Sequence, residues 1–172
     1  MLEKILEQNK KDISGIIQVG ANIGQEVSLI SKFTENIYLF EPLKEIYSEL
    51  VENCKDYKNV KTFNYALGSR EEKRIIYVSD VNKSASSSLL KPTEHLNYFP
   101  DVSFSHQETI EVRRFDKIDI NFIGNLLIMD VQGYELEVLK GFGDKLKQIQ
   151  YIYTEVSLKE LYEQNILLSD LD

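Results

Sequence analysis

The sequence predicts a doubly wound α/β domain, and three observations carry that prediction. Short apolar runs of strand length alternate with amphipathic stretches of helix length. The first run breaks into a glycine turn, "VGANIGQE". Several runs end on a carboxylate, at Glu41, Asp130 and Glu155. Strands separated by helices of this length need parallel pairing through right-handed crossovers. At 172 residues the chain suits one domain, large enough to bury a core without disulfides.

The elements follow in order. Within residues 2 to 12 an amphipathic helix sets Leu2, Ile5 and Leu6 on one face. A first strand covers about Gly15 to Val19, and a helix from Ile23 to Phe33 turns Val27, Ile30 and Phe33 inward. The run "NIYLFEP" is a second strand stopped at Pro42, and Leu43 to Cys54 repeats apolar residues at helical spacing through Ile46, Leu50 and Val51. A third strand, "VKTFNYAL", stops at Gly68. "EEKRIIYVSD" and "QETIEVRRF" are also strands, the second alternating Ile110 and Val112 with Glu111 and Arg113. Between them, residues 80 to 108 enclose a long polar insertion with a serine cluster and both histidines, as a lid or acceptor loop would. The α/β rhythm then returns. "NLLIMD" is the most apolar strand, "GYELEVLKGF" a helix closed by Gly141, "QYIYTEV" another strand and "LKELYEQNIL" the start of a last helix.

Composition narrows the function classes. Twenty basic against 28 acidic residues give a net charge of -8, and the basic residues are scattered, so a nucleic-acid partner is not expected. The N-terminus is charged throughout and lacks the apolar core of a signal peptide, and no apolar run is long enough to span a bilayer. A cytoplasmic protein without a membrane partner is the expectation. The single cysteine, Cys54, falls on a helix and reads as a small core side chain.

Gly20 and Gly24 bracket the strand-to-helix bend, where backbone can approach a ligand and a helix N-terminus offers free N–H groups. Gln25 and Glu26 stand where a phosphate loop needs Lys and Ser/Thr, and Asn22 replaces the second glycine of a dinucleotide fingerprint. Glu41 ends the second strand 21 residues beyond Gly20, where a carboxylate accepts both hydroxyls of a ribose. An adenosine-like ligand without a required diphosphate fits both observations. Asp130 ends the most apolar strand and belongs beside the glycine turn if the two strands are neighbours. Gly133 relaxes the next turn, Glu135 opens the following helix, and Glu155 is another carboxylate at a strand end.

Six segments in this order, "IIQVGANIGQE", "IYLFEP", "YALGS", "SASSSLLKPTEHL", "MDVQGYELEVLKGF" and "YIYTEVSLKELY", resemble the FkbM-type family of S-adenosylmethionine-dependent methyltransferases. The resemblance runs from about residue 14 to 165, and D-V-Q-G-x-E-x-x-V-L-K-G is its most specific part. It implies a Rossmann-like class I methyltransferase sheet, S-adenosylmethionine as cofactor, and methylation of a hydroxyl on a sugar or other small metabolite. By motif, Gly20, Ala21, Asn22 and Gly24 would line the methionine end of the cofactor, Glu41 with Pro42 the ribose, and Ala66, Leu67 and Gly68 the adenine. Gln18 stands where many such enzymes carry an acid, an amide supplying no charge toward the cofactor's ammonium. The antiparallel strand pair that ends the family's sheet is apparently missing, and the uncovered edge predicts a homodimer.

Asp130 is the first candidate base for the acceptor hydroxyl, since burial raises a carboxylate's affinity for a proton. His106 and His95 are the alternatives in the insertion. Ser86, Ser87 and Ser88 would offer hydroxyls to the acceptor or cofactor, with Glu135 and Glu155 beside them. No third carboxylate accompanies Asp130 and Glu155, so no metal is expected. Two other readings use the same turn: a nicotinamide-dependent oxidoreductase, and a noncatalytic methyltransferase-like domain.

Overall fold

The computed structural model describes residues 1–159, 161–165 and 167, with the side chains of residues 82, 95 and 96 excepted. In chain order the elements are α1 (Leu2–Gln8), β1 (Ile16–Val19), α2 (Val27–Ile30), β2 (Ile37–Phe40), α3 (Lys44–Cys54), β3 (Val60–Phe63), β4 (Ala66–Leu67), β5 (Glu72–Val78), α4 (His95–Tyr98), β6 (His106–Arg113), β7 (Leu126–Met129), α5 (Glu135–Phe142) and β8 (Tyr151–Thr154).

Five strands form one sheet in the order β3-β2-β1-β7-β8, all parallel. The strands β1, β2 and β7 are buried at every residue, which explains their unbroken apolar sequences: both faces of a central parallel strand are covered. Alternation sorts those residues between two layers. Ile17, Val19, Tyr38, Phe40, Leu127 and Met129 pack with Val138 and Phe142 of α5 on one face. Ile16, Ile37, Leu39, Leu126 and Ile128 pack with α1, α2 and α3 on the other. The chain runs outward from β1 through β2 to β3, then returns to the other side of β1 as β7, so the direction of winding reverses at the β1/β7 boundary.

A small second sheet, β4-β6-β5, joins β4 parallel and β5 antiparallel to β6. The run "VKTFNYAL" is therefore two strands. The break falls at Asn64, whose Nδ2 donates to the carbonyls of Glu41 at 2.9 Å and Pro42 at 3.0 Å, which ties the chain under the end of β2 and redirects it. Ile110, Val112, Ile76 and Val78 turn inward as their alternation predicts.

Three other elements differ from expectation. The helix expected from Ile23 to Phe33 is α-helical only over Val27–Ile30; short i→i−3 bonds, Val27 N–H to Gly24 and Phe33 N–H to Ile30, continue it as tight turns. Val27, Ile30 and Phe33 are buried all the same. The last predicted helix is absent among the described residues: Thr93 N–H donates to Leu161 O and Glu163 N–H to Lys91 O, so this segment pairs with the insertion. Asn165 Oδ1 accepts the N–H of Tyr162 at 3.0 Å, holding a turn where a helix would begin. Gly141 does not close α5 but lies inside it, and Gly143 at φ 50° follows the helix.

The position of Gly141 has a packing reason. A Cβ there would meet the carbonyl oxygen of Gly68 at 2.1 Å, so the two glycines let α5 press against the end of β4. Gly141→Ala is expected to cost about 1–3 kcal/mol through overpacking, despite alanine's better helix propensity, read as a lower midpoint in urea unfolding.

Among the described residues no helix is long and apolar enough to cross a membrane. The described residues show β8 paired on one side, with β7.

Candidate active site

Register decides the site. Val19 is paired with Phe40 on one side and Met129 on the other, and Met129 with Thr154. The residues that follow these four strand ends are Gly20, Glu41, Asp130 and Glu155. They therefore stand in the row Glu41, Gly20, Asp130, Glu155 along one rim, with neighbouring strands about 4.8 Å apart. The two strands that carry Gly20 and Asp130 are adjacent, as the doubly wound order requires. A Cβ on Gly20, at φ 78°, would lie 1.9 Å from the backbone oxygen of Asp130, so only glycine lets the two strand ends meet this closely.

A cavity of about 860 Å³ opens along this rim and has all four of these residues in its wall. The volume suits a cofactor-sized ligand. Toward β2 and β4 its lining is mainly apolar, from Phe40, Leu43, Ala66, Leu67, Ile76 and Leu89, with Pro42 and Tyr134 beside them. Tyr134 is held by Arg74, which donates to its hydroxyl at 3.0 Å and covers its ring at 5.1 Å. Toward β8 the lining passes Glu26, Leu29 and Ile128 to Tyr153, Thr154 and Glu155, where α1 contributes Leu2 and Glu3.

The glycine turn is internally saturated. Gly20 and Ala21 both donate to Phe40 O at 3.0 Å, Asn22 donates to Glu41 Oε2 at 3.1 Å, Ile23 to Asn22 Oδ1 at 2.9 Å and Gly24 to Ala21 O at 2.9 Å. The N–H groups of residues 20 to 24 are thus spent inside the protein, and the four-residue α2 starts only afterwards. Asn22, at φ 48°, also donates from Nδ2 to Lys83 O at 2.7 Å and pins the insertion to the turn. Gly24 faces inward: its Cβ direction points at Leu50 and Val27, and neither it nor fully buried Ala21 lines the cavity.

Glu41 is 5% exposed, and burial pushes its carboxyl up to about 7 against the pull of the Leu43 and Asn22 N–H groups. Each oxygen accepts one of these bonds, at 2.9 and 3.1 Å, and keeps a lone pair for a ligand. Asp130 opens to the cavity, yet surrounding protein raises its carboxyl above the ordinary range, and the negative charges of Glu155 and Glu26 raise it further. Gln132 Nε2 donates to Asp130 Oδ1 at 2.7 Å and offsets part of that rise. Gln18 is 4% exposed; its Nε2 donates to Glu26 Oε2 at 3.0 Å, while its Oε1 is buried with no hydrogen-bonding partner. An acceptor orphaned in a cavity wall fits a ligand that brings a donor there, and an ammonium is such a donor.

Other sequence candidates lie elsewhere. His106 is exposed at the start of β6, 3.5 Å from Glu108 and 3.9 Å from Asp80, and does not line the cavity. The side chain of His95 lies outside the described residues, although its backbone begins α4. Ser87 reaches the cavity, but its Oγ accepts the N–H of Ser79 at 3.0 Å. Ser86 N–H donates to Ser79 Oγ within the insertion, and buried Ser88 donates to Gln132 O at 2.8 Å and ties the insertion to the loop after β7, so these serines bond to the protein itself. Glu135 is buried and accepts from Val131 and Gly133 at 3.3 Å each, which shapes the loop after β7 rather than the cavity wall. Gly68 packs against Val112 and Tyr134, behind the wall made by Ala66 and Leu67. Among the described residues no three histidine, cysteine or carboxylate groups converge to hold a metal.

The sequence reading overlooked Glu26, Gln132 and Tyr162. Gln132 lies inside the quoted D-V-Q-G motif and takes φ 52°, a signal in plain view. Tyr162 is buried; its hydroxyl lies 2.9 Å from Ser86 O and 3.0 Å from Gln132 Oε1.

An open parallel sheet with a ligand-sized crevice at its winding reversal defines the doubly wound class of α/β domains. The Methyltransferase FkbM domain family matches residues 18–172, and the chain belongs to that family. It is 28% identical over 164 residues to the "2-O-methyltransferase NoeI" of Sinorhizobium fredii, covering 89% of this chain and 67% of that protein. With the "Hexuronic acid methyltransferase AglP" of Haloferax volcanii it shares 25% over 160 residues, covering 91% and 61%. The chain thus spans about two thirds of the length of these relatives. In structure it resembles the methyltransferase FkbM of Methylobacillus flagellatus KT, with a TM-score of 0.55 and 17% identity over 83% of this chain and 32% of that one.

Proposed function

We propose that this domain transfers a methyl group from S-adenosylmethionine to a hydroxyl of a saccharide or a related small metabolite. The observation that carries the reading is the saturated glycine turn beside a carboxylate-lined cavity. A dinucleotide needs free N–H groups for its pyrophosphate, whereas residues 20 to 24 donate only to the protein. A cofactor with no phosphate, whose sulfonium and ammonium outweigh its one carboxylate, suits such a wall. Family membership and the names of both relatives support the same chemistry.

In this reading Glu41 accepts the ribose hydroxyls, and the apolar end near Ala66 and Leu67 takes the adenine. The orphaned Gln18 Oε1 accepts from the methionine ammonium, with Asn22 and Gly20 beside it. When bound, the sulfonium supplies an already activated methyl group. The chain's remaining work is to orient donor and acceptor, worth about 7–11 kcal/mol of barrier when geometry is favourable, and to take the hydroxyl proton. In this reading Asp130 takes that proton, and the rise of its carboxyl above the ordinary range makes it the stronger base.

Calorimetry with S-adenosylhomocysteine and with NAD tests the cofactor; heat with the first and none with the second is expected. The reverse result removes the methyltransferase in favour of the oxidoreductase. Labelled methyl incorporation into saccharide extracts tests turnover; cofactor binding with no incorporation into any pool would leave the noncatalytic domain.

A further inference from the structure

The cavity wall carries Glu3, Glu26, Glu41, Asp130 and Glu155, and among the described residues no lysine, arginine or histidine side chain lines it. Acidic side chains in a chain of net charge -8 are common on surfaces, but these converge on one cavity that also carries a mark of a bound ligand. Gln18, 4% exposed and part of the same wall, leaves Oε1 buried and unpartnered. The carboxylates also divide by position. Glu41 stands at the β2 end of the rim, and Asp130 and Glu155 at the β7 and β8 end. If Glu41 holds the cofactor's ribose, the β8 end is left for the acceptor. That end combines the ring of Tyr153 and the apolar side chains of Leu29 and Ile128 with Glu3, Glu26 and Glu155.

We propose that the acceptor end selects by charge: it admits a polyhydroxy acceptor that is uncharged or carries an amine, and rejects uronates and phosphorylated sugars. The inference rests on the methyl-transfer reading and adds the acceptor's chemical class. An anion brought beside Asp130 and Glu155 meets like charge with no lysine, arginine or histidine side chain in the described wall to pair with it, and such juxtapositions are disfavoured. A neutral sugar offers hydroxyl donors to the same oxygens and an apolar ring face to Tyr153. An ammonium adds attraction. The name of one relative specifies a hexuronic acid; for this chain the wall points the other way.

The test supplies S-adenosylmethionine with matched methyl hexosides, methyl hexosaminides and methyl hexuronides at about 20 mM salt, where surface screening is weak. The expected result is a kcat/KM for hexuronides at least about thirtyfold below that for hexosides, a gap that narrows several-fold at high salt. Glu155→Gln should raise the hexuronide-to-hexoside ratio by about threefold or more. Hexuronides methylated as well as hexosides would overturn the proposal. S-adenosylhomocysteine calorimetry runs in parallel and separates the two readings. If it shows no binding, the methyl-transfer reading fails, and charge selection is judged by thermal shift with glucosamine and glucuronate. Stabilisation by glucosamine alone upholds selection; stabilisation by glucuronate, or by neither, overturns it.

Discussion

Asp130→Asn is expected to lower kcat by about two to four orders of magnitude while leaving the fold intact. Asparagine is nearly isosteric and its Oδ1 still accepts from Gln132 Nε2, so the loop after β7 keeps its tie. What disappears is the group able to hold the acceptor's proton. The pH profile provides the sharper readout. A base whose carboxyl is raised above the ordinary range loses activity as pH falls through that raised value, so wild-type kcat should show an acidic limb above the usual carboxylate region. The variant should lack that limb. A variant that turns over as fast as wild type would remove Asp130 from the chemistry and leave positioning alone.

Glu41→Gln is the second large effect, and its readout is binding. Two hydrogen bonds from a ribose to a charged acceptor contribute about 1.5 kcal/mol or more each, so S-adenosylhomocysteine should bind about 100-fold more weakly. In the wild type the carboxylate form predominates only above about 7, so affinity should fall by up to about tenfold per pH unit below that value. Stability runs in the opposite sense. The folded carboxyl sits near 7 against an unfolded value of 4.5; between these pH values the native state holds a proton that the unfolded chain has released. Stability of the ligand-free protein therefore falls as pH rises from about 4.5 to about 7, by about 3 kcal/mol, and is flat above. Asp130 and Glu135, also raised, add to the same slope. Denaturant unfolding across this range should show the decline in wild type and a shallower one in Glu41→Gln. The buried carboxylate is thus a stability cost retained in the cavity wall.

Much of the sheet was legible because its strands obey simple rules. Runs such as "IIQV", "IYLF" and "LLIM" are apolar at every position since both faces are covered, and the residue after each strand inherits a place on the rim. Glu41, Asp130 and Glu155 could be set on one edge from chain order alone, and the sheet fulfils that placement. Other features depend on side chains reaching across the fold. Nothing local to "VKTFNYAL" announces that Asn64 will bond two carbonyls after β2 and split the strand. The helical pattern of Val27, Ile30 and Phe33 is equally satisfied by turns with i→i−3 bonds, since three-residue spacing buries the same side chains. "LKELYEQNIL" carries helix-forming residues, but Tyr162 and its neighbours gain more by pairing with residues 91–93 of the insertion. Spacing alone points Ser88 and Glu135 at a ligand, whereas Ser88 bridges Leu90 N–H and Gln132 O across two loops and Glu135 accepts the N–H groups of its own loop. Spacing locates such residues; it does not say where the oxygen points.

One phenolic oxygen joins parts of the chain that are remote in sequence. The hydroxyl of Tyr162 meets both Ser86 O and Gln132 Oε1, and Gln132 in turn steadies Asp130. The insertion, the segment after β8 and the loop that carries Asp130 are therefore geared together. Lifting residues 86–88 would tug the same knot that holds Asp130, together with the bond from Ser88 Oγ to Gln132 O.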